Sequence, residues 1–246
     1  MDKHIYEQMA ATEDRHWWFV ARRKIFSEVL SFSKPLPAQR IVDIGCGTGG
    51  NLSLLRQFGE VMGLELNPDA ANMAARHGQV VLGGETHWWP IAADSVDTFT
   101  AFDVLEHISD DKTAALNLFA SLKPGGRLVL SVPAYQWLWS QHDDSLHHQR
   151  RYVLPNIVTL ATSVGFSIEY VSYHNCILFP VSVMLRIISR FSGGLLGVDE
   201  NRVPMLPINR LLQAIYSFER HIVKRKWRMP FGLSVIAVLR KPGATV

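Results

Sequence analysis

Asp43, Gly45, Gly47 and Gly50 follow one another closely at the end of an apolar run that begins Ile41-Val42. Glycines spaced this way let a backbone turn sharply and approach a ligand without a Cβ in the way. Gly45, Gly47 and Gly50 satisfy the pattern G-x-G-x-x-G, and Glu65 stands at the end of a second apolar run, where a carboxylate can hydrogen-bond both hydroxyls of a ribose. The chemistry implied is the holding of a nucleoside-type cofactor, and to this point NAD and S-adenosylmethionine fit equally. Asp43 separates them. A pyrophosphate against this loop would meet an unpaired negative charge where water is scarce. S-adenosylmethionine has no phosphate. Its ammonium and sulfonium are attracted to a carboxylate, and its own carboxylate can take backbone N–H groups at the loop.

The passage Val42-Asp43-Ile44-Gly45-Cys46-Gly47-Thr48-Gly49 resembles the first motif of the class I S-adenosylmethionine-dependent methyltransferases, in particular the type 11-like methyltransferase domain. Later motifs follow in order. Trp89-Pro90 with Asp94-Ser95-Val96-Asp97, Phe102-Asp103-Val104-Leu105-Glu106-His107, and Leu122-Lys123-Pro124-Gly125-Gly126 each match a passage of that family. Glu85 stands where the family has an acid, more often Asp, that reads the adenine amino group. The resemblance covers residues 38–174 and a last strand near 233–240. It implies a cofactor held by Asp43, Gly45, Cys46, Gly47, Gly49, Asn51, Glu65, Leu66, Glu85, Thr86, Phe102 and Asp103. It also implies methyl transfer; the acceptor expected is an oxygen of a small molecule or of a lipid- or glycan-linked group. The competing readings are an NAD(P)-dependent oxidoreductase, against which Asp43 argues, and a non-catalytic cofactor-binding protein at a membrane.

Methyl transfer needs alignment and exclusion of water more than a fixed triad. A base is required when the acceptor is a hydroxyl, a carbon acid or a protonated amine. His107 is one candidate, with a hydrogen-bonding role beside Glu106 as the bland alternative. The segment Gln141-His142-Asp143-Asp144-Ser145-Leu146-His147-His148-Gln149-Arg150-Arg151-Tyr152 supplies two more, His142 and His148. It resembles an "H-D-…-G-H-x-R-R-Y" passage of one branch of the family, with His147 in place of glycine. Arg150 and Arg151 suit an anionic acceptor, since guanidinium forks match carboxylate and phosphate. The alternative is an Arg–Asp network that pins a loop. Trp18 and Tyr152 complete the expected acceptor contacts. Trp18 lies in His16-Trp17-Trp18-Phe19, a passage that covers a pocket or docks a terminal helix on the core. Trp88 and Trp89 are read as packing. No metal is expected; His142, Asp143 and His148 are the set weighed for one and set aside.

These residues need strands to carry them. Alternating apolar runs and helical periods place strands at 40–44, 60–66, 79–83, 96–102, 127–132, 167–173 and 233–239, and helices near 4–32, 51–58, 68–77, 111–121 and 156–164. This is the pattern of a doubly wound, seven-stranded α/β sheet of Rossmann-like type, with ligands at the carboxyl ends of its strands and an antiparallel last strand. The chain of 246 residues reads as one domain. Residues 1–34 form an N-terminal helical cap, and 35–174 with 232–246 form the core. Residues 175–231 are too long for a bare loop and are read as a helical insertion, with helices near 178–191 and 207–226 and a break at Gly193-Gly194.

Apolar residues make up 48% of the chain and charged residues 19%, which is a globular and not a disordered composition. The formal charge of +3 is too mild to suggest a nucleic-acid partner, and the strand-four end lacks the Asn/Asp-Pro-Pro-aromatic motif of base methylation. Cys46 and Cys176 offer neither a disulfide framework nor a metal cluster. The start of the chain has no secretory pattern and no apolar run reaches the ~20 residues of a spanning helix, so a cytoplasmic setting is expected. Arg220, Lys224, Arg225, Lys226 and Arg228 beside Trp227 read as a solvated face or as a contact with anionic lipid headgroups at the inner membrane face. Oligomeric state is not readable.

Overall fold

The computed structural model describes residues 3–32, 39–84, 89–191 and 202–243. Its centre is a seven-stranded sheet in the order β3-β2-β1-β4-β5-β7-β6. In chain order the strands are β1 Arg40–Ile44, β2 Glu60–Glu65, β3 Gln79–Leu82, β4 Val96–Phe102, β5 Leu122–Pro133, β6 Ser167–His174 and β7 Ser234–Arg240. The first five run parallel; β7 is antiparallel to both of its neighbours. β1 and β4 are buried on both faces along most of their length, as strands inside a parallel sheet are. The order turns back at β1 and β4, so the carboxyl ends of those two strands open the crevice where a ligand fits.

The helices are α1 Lys3–Thr12, α2 Trp17–Leu30, α3 Leu52–Leu55, α4 Pro68–Ala74, α5 Asp111–Ser121, α6 Gln141–Ser145, α7 Leu154–Val164, α8 Phe179–Phe191, α9 Leu206–Phe218 and α10 Arg220–Lys224. The helix expected over 4–32 is two. The chain breaks at residues 13–16, and His16 begins α2 with its Nδ1 accepting from the Trp18 amide. The break has a physical purpose, since Glu13 inside it reaches the glycine loop. The helix expected over 51–58 shrinks to the four residues of α3. β5 begins five residues before the expected 127. The helix expected over 207–226 divides at Glu219, where the carboxylate leaves to bond another segment. The Gly193-Gly194 break lies outside the described residues.

The insertion does not stand apart. α9 and α10 both pack along α2. Asn209 of α9 accepts from the Trp17 amide at 2.9 Å and donates to the Arg15 carbonyl at 2.8 Å, so it fixes the α1–α2 corner. Glu219 is fully buried and accepts from the amides of Asn175, Cys176 and Ile177 at 2.7, 2.7 and 2.8 Å. The insertion is thereby tied at one end to the N-terminal cap and at the other to the edge of β6.

Candidate active site

The glycine loop leaves β1 with Gly45 and Gly47 both in the left-handed region, φ 58° and 56°. A side chain at Gly45 would strike Val104, whereas a Cβ at Gly47 would meet nothing within 4 Å. Gly47 therefore borders open space of the kind a ligand occupies. Below the loop, Asp43 is buried, and its Oδ1 accepts from the Thr100 hydroxyl at 2.5 Å. Burial lifts its carboxyl from the ordinary range to about 7; the Thr100 bond and the Arg22 charge work the other way, and the Glu65 charge reinforces the rise. Its Oδ2 has no partner. A buried carboxylate oxygen without a partner is costly, and a cation brought to it removes that cost. Glu65 accepts from the Gly47 amide at 2.8 Å and from the Asn67 amide at 2.9 Å, so it holds the loop while facing the same crevice.

Cys46 lies buried with Leu52 and Ala74, the packing role its size suits. Gly49 and Asn51 complete the turn into α3, and Leu66 is exposed beyond β2. Glu85 and Thr86, and Trp88 with them, lie outside the described residues. Trp89 donates to Ser121 at 2.7 Å and packs on Phe99, a structural place. The Phe102 ring stacks on Phe26 of α2, 3.7 Å apart and nearly parallel, which spends it on the core. Asp103 sits at the end of β4 with φ 57°, strained for a non-glycine residue, and pairs with Arg22.

Sequence reasoning did not single out Arg22 as a site residue. It is buried, its guanidinium lies 3.8 Å over the Trp18 ring, and burial lowers its pKa to about 10. The signal was there: Trp18 and Arg22 are four apart on one helix and so face the same way. No signal marked Glu13. It accepts from the Thr48 hydroxyl at 2.9 Å, and a side chain at Gly50 would collide with it. Tyr6 of α1 feels the Glu65 charge in addition to burial, and its pKa rises to about 12. The N-terminal cap thus closes over the glycine loop and the β2 end.

On the acceptor side, the turn after β4 and the segment after β5 meet. His107 and His148 stack edge to face, ring centres 4.7 Å apart. Glu106 beside them is fully buried, and neither of its oxygens has a partner. Burial raises its carboxyl to about 8, against the nearby charges of Arg22 and Arg151, and burial next to His148 lowers His107 to about 4. His142, the third base candidate, sits on α6 and is not one of this group.

Arg151 is committed inward. Its Nε and Nη2 grip the two Asp143 oxygens at 2.7 and 2.9 Å, and its Nη1 donates to the Ala134 carbonyl. This is the loop-pinning arrangement; the expected anion clamp has no free fork. Burial opposes ionisation of Asp143, but the bonds from His148 and Arg151 outweigh it and hold its pKa well below the carboxylate range. Arg150 pairs with Asp111 at 3.0 Å and donates to the Ser109 carbonyl. The Tyr152 hydroxyl donates to Asp111 at 2.8 Å from a buried place. Trp18, finally, is covered by Arg22.

Among the described residues, three buried side chains with orphaned oxygens or nitrogens follow or end strands at one end of the sheet, Asp43 in β1, Glu106 after β4 and Asn175 after β6; Ser217 of α9 is orphaned as well. Arg22, whose Nε is also unpartnered, feels the charges of the first two. Native cores rarely leave such groups unpaired, so Asp43 and Glu106, both within reach of the Arg22 charge, mark where ligands complete the structure. The open space at Gly47 and the lone Asp43 oxygen fit S-adenosylmethionine.

Known proteins share this sequence pattern and fold. The chain is 28% identical over 198 residues to the ubiquinone biosynthesis O-methyltransferase of Xanthomonas euvesicatoria, covering 68% of this chain and 81% of that one. It is 31% identical over 121 residues to the mitochondrial enzyme of that name in Schizosaccharomyces pombe, covering 45% of this chain but 44% of the relative's length. The fold matches a chain in the complex of the Haloferax volcanii Trm112 methyltransferase activator and a putative methyltransferase, with a TM-score of 0.62, 17% identity and coverage of 99% and 96%. The methyltransferase-domain family matches residues 16–169, more than half of the chain. The protein is a class I S-adenosylmethionine-dependent methyltransferase and belongs to this methyltransferase-domain family.

Proposed function

We propose that the protein methylates a hydroxyl oxygen of a small acceptor that is lipid-linked or otherwise delivered at a membrane surface, and that Glu106, His107 and His148 activate that hydroxyl. The observation that carries the reading is Glu106, a fully buried carboxyl with two unpartnered oxygens beside two imidazoles. Such a group meets a polar atom of a substrate without competition from protein donors. O-methyltransferases among the relatives support the choice of oxygen.

S-adenosylmethionine, when bound, supplies an electrophilic methyl carbon. The chain's own residues do the rest. Asp43 would hold the cationic end of the cofactor and Glu65 the ribose, and Gly47 leaves room for close approach. α1 and Glu13 cover the loop and keep water out, which strengthens each of these electrostatic contacts. Arg22 holds Asp103 in its strained place at the end of β4.

The membrane part of the reading rests on α8. Its solvent-facing residues include Val181, Met184, Leu185 and Ile188, all apolar, while Arg186 turns inward to the Leu138 carbonyl. A water-exposed helix ordinarily shows the opposite arrangement. Leu206, Ile208, Leu211 and Phe218 of α9 and Trp227 are exposed too. In the described part of the insertion the one acid, Glu219, is buried, whereas Lys224, Arg225, Lys226 and Arg228 are exposed. An apolar face with cations and no exposed acid complements an anionic bilayer surface. No described helix is long and apolar enough to cross a membrane.

The test is turnover with S-adenosylmethionine and a panel of phenolic, sugar and lipid-linked acceptors, with and without anionic vesicles. The expected product is a methyl ether, formed faster with vesicles for apolar acceptors. Products methylated only at nitrogen or carbon would overturn the reading.

A further inference from the structure

We propose that Glu106, His107 and His148 form a binding site for a divalent transition-metal cation. One carboxylate oxygen and two ring nitrogens of these residues lie within 4.8 Å of one another. Two imidazoles and a carboxylate are the donor set of catalytic zinc and of non-haem iron(II), which keep positions open for other ligands.

Three features beyond proximity point to a cation. The Glu106 carboxyl is fully buried and neither oxygen meets a protein donor, so the fold leaves both lone-pair sets for something else. His148 is oriented from behind: its Nδ1 bonds Asp143 Oδ1 at 2.9 Å, which leaves Nε2 with its lone pair outward. Asp143 is held in turn by both arms of Arg151 and by the Ser140 amide at 2.8 Å. A carboxylate behind a histidine is the arrangement that fixes a metal-binding imidazole and raises its basicity. His107 stands edge to face with His148, ring centres 4.7 Å apart, which brings the two imidazoles to the same place. The cations nearest to Glu106, Arg22 and Arg151, are each paired with an acid, Asp103 and Asp143, and do not bar a metal charge.

Resting on the function proposed above, the open positions would take the acceptor oxygen. The cation would lower the pKa of that hydroxyl, and its proton would leave to solvent. The oxygen then forms its bond to the methyl carbon while the carbon–sulfur bond breaks, its electron pair remaining on sulfur. The products are a methyl ether, S-adenosylhomocysteine and a proton. The metal thus takes the part that a histidine base would otherwise play.

The experiment uses the full-length chain without an affinity tag, stripped with a chelator. Zn(II) is titrated by calorimetry, and Mn(II) by loss of its free electron-spin-resonance signal. One site per chain is expected. Glu106→Gln and His148→Ala should each weaken it at least about tenfold, while His221→Ala on α10 leaves it unchanged. If His148→Ala fails to fold, judged by its thermal melt, His107→Gln takes its place. Absence of binding below millimolar metal, or affinity unchanged in Glu106→Gln, overturns the site. The outcomes separate from those of the function above. Metal binding without ether formation leaves the site standing and removes the acceptor; ether formation in the stripped chain keeps the acceptor and removes the metal's part in its activation.

Discussion

Asp43 owes its raised pKa to burial, and that has a consequence for cofactor binding. Free, its carboxyl titrates at about 7. A cation at its orphaned oxygen favours the ionised form, so the bound-state pKa is lower and binding releases a proton as pH falls below 7. Affinity therefore rises with pH up to about 7. It falls again near ~8, where the cofactor's own α-amino group loses its charge. Calorimetry between pH 5.5 and 9 should show this maximum; a flat profile would mean that Asp43 does not face the ammonium. Gly47→Ala should lower affinity more than about tenfold by filling the open space, at a backbone cost of only ~1–2 kcal/mol seen in the thermal melt. Arg151→Ala strands a buried carboxylate, so denaturant unfolding should show a loss of ~3 kcal/mol or more, and an intact fold stability would contradict the clamp. The glycine turn was legible because its positive φ angles are backbone geometry that few residue types satisfy. Arg151 was half legible. Residue type announced a guanidinium, but its direction depends on Asp143, which a short unforeseen helix, α6, brings beneath it.

At the scale of elements, every strand was visible from its apolar run, since a sheet covered on both faces needs continuous hydrophobicity. Helix ends were less so. α1 and α2 share one apolar period, and nothing in their spacing reveals a break whose cause is Glu13 reaching a loop far along the chain. The division of α9 from α10 has the same origin in Glu219. Long-range polar contacts set both boundaries, and periodicity carries no record of them. Glu219→Gln tests the second. It keeps the shape but loses the charge on three amide bonds, so a loss of ~2 kcal/mol in urea unfolding is expected, with an unchanged melt as the contrary result.

At the scale of the whole molecule, the N-terminal cap and the insertion act together. Asn209 pins the α1–α2 corner, and that corner carries Glu13 onto the glycine loop. The cofactor side and the insertion are thus joined through α9 and α10, which both pack on α2. Met184→Glu with Ile188→Glu should cut sedimentation with anionic vesicles at least about fivefold without lowering cofactor affinity, since each buried apolar side chain contributes ~1.5–3 kcal/mol. Undiminished sedimentation would move the contact elsewhere. Composition announced an apolar helix near 178–191, but not that its greasy stripe points outward, because burial is settled by packing and not by residue type.

The most direct test is calorimetric titration of the wild-type chain and Asp43→Asn with S-adenosylmethionine and, separately, with NAD. The wild-type should bind S-adenosylmethionine and not NAD, and Asp43→Asn, which keeps the shape and removes the charge, should bind it at least about tenfold more weakly. NAD binding by the wild-type, or equal affinity in both chains, would contradict the account.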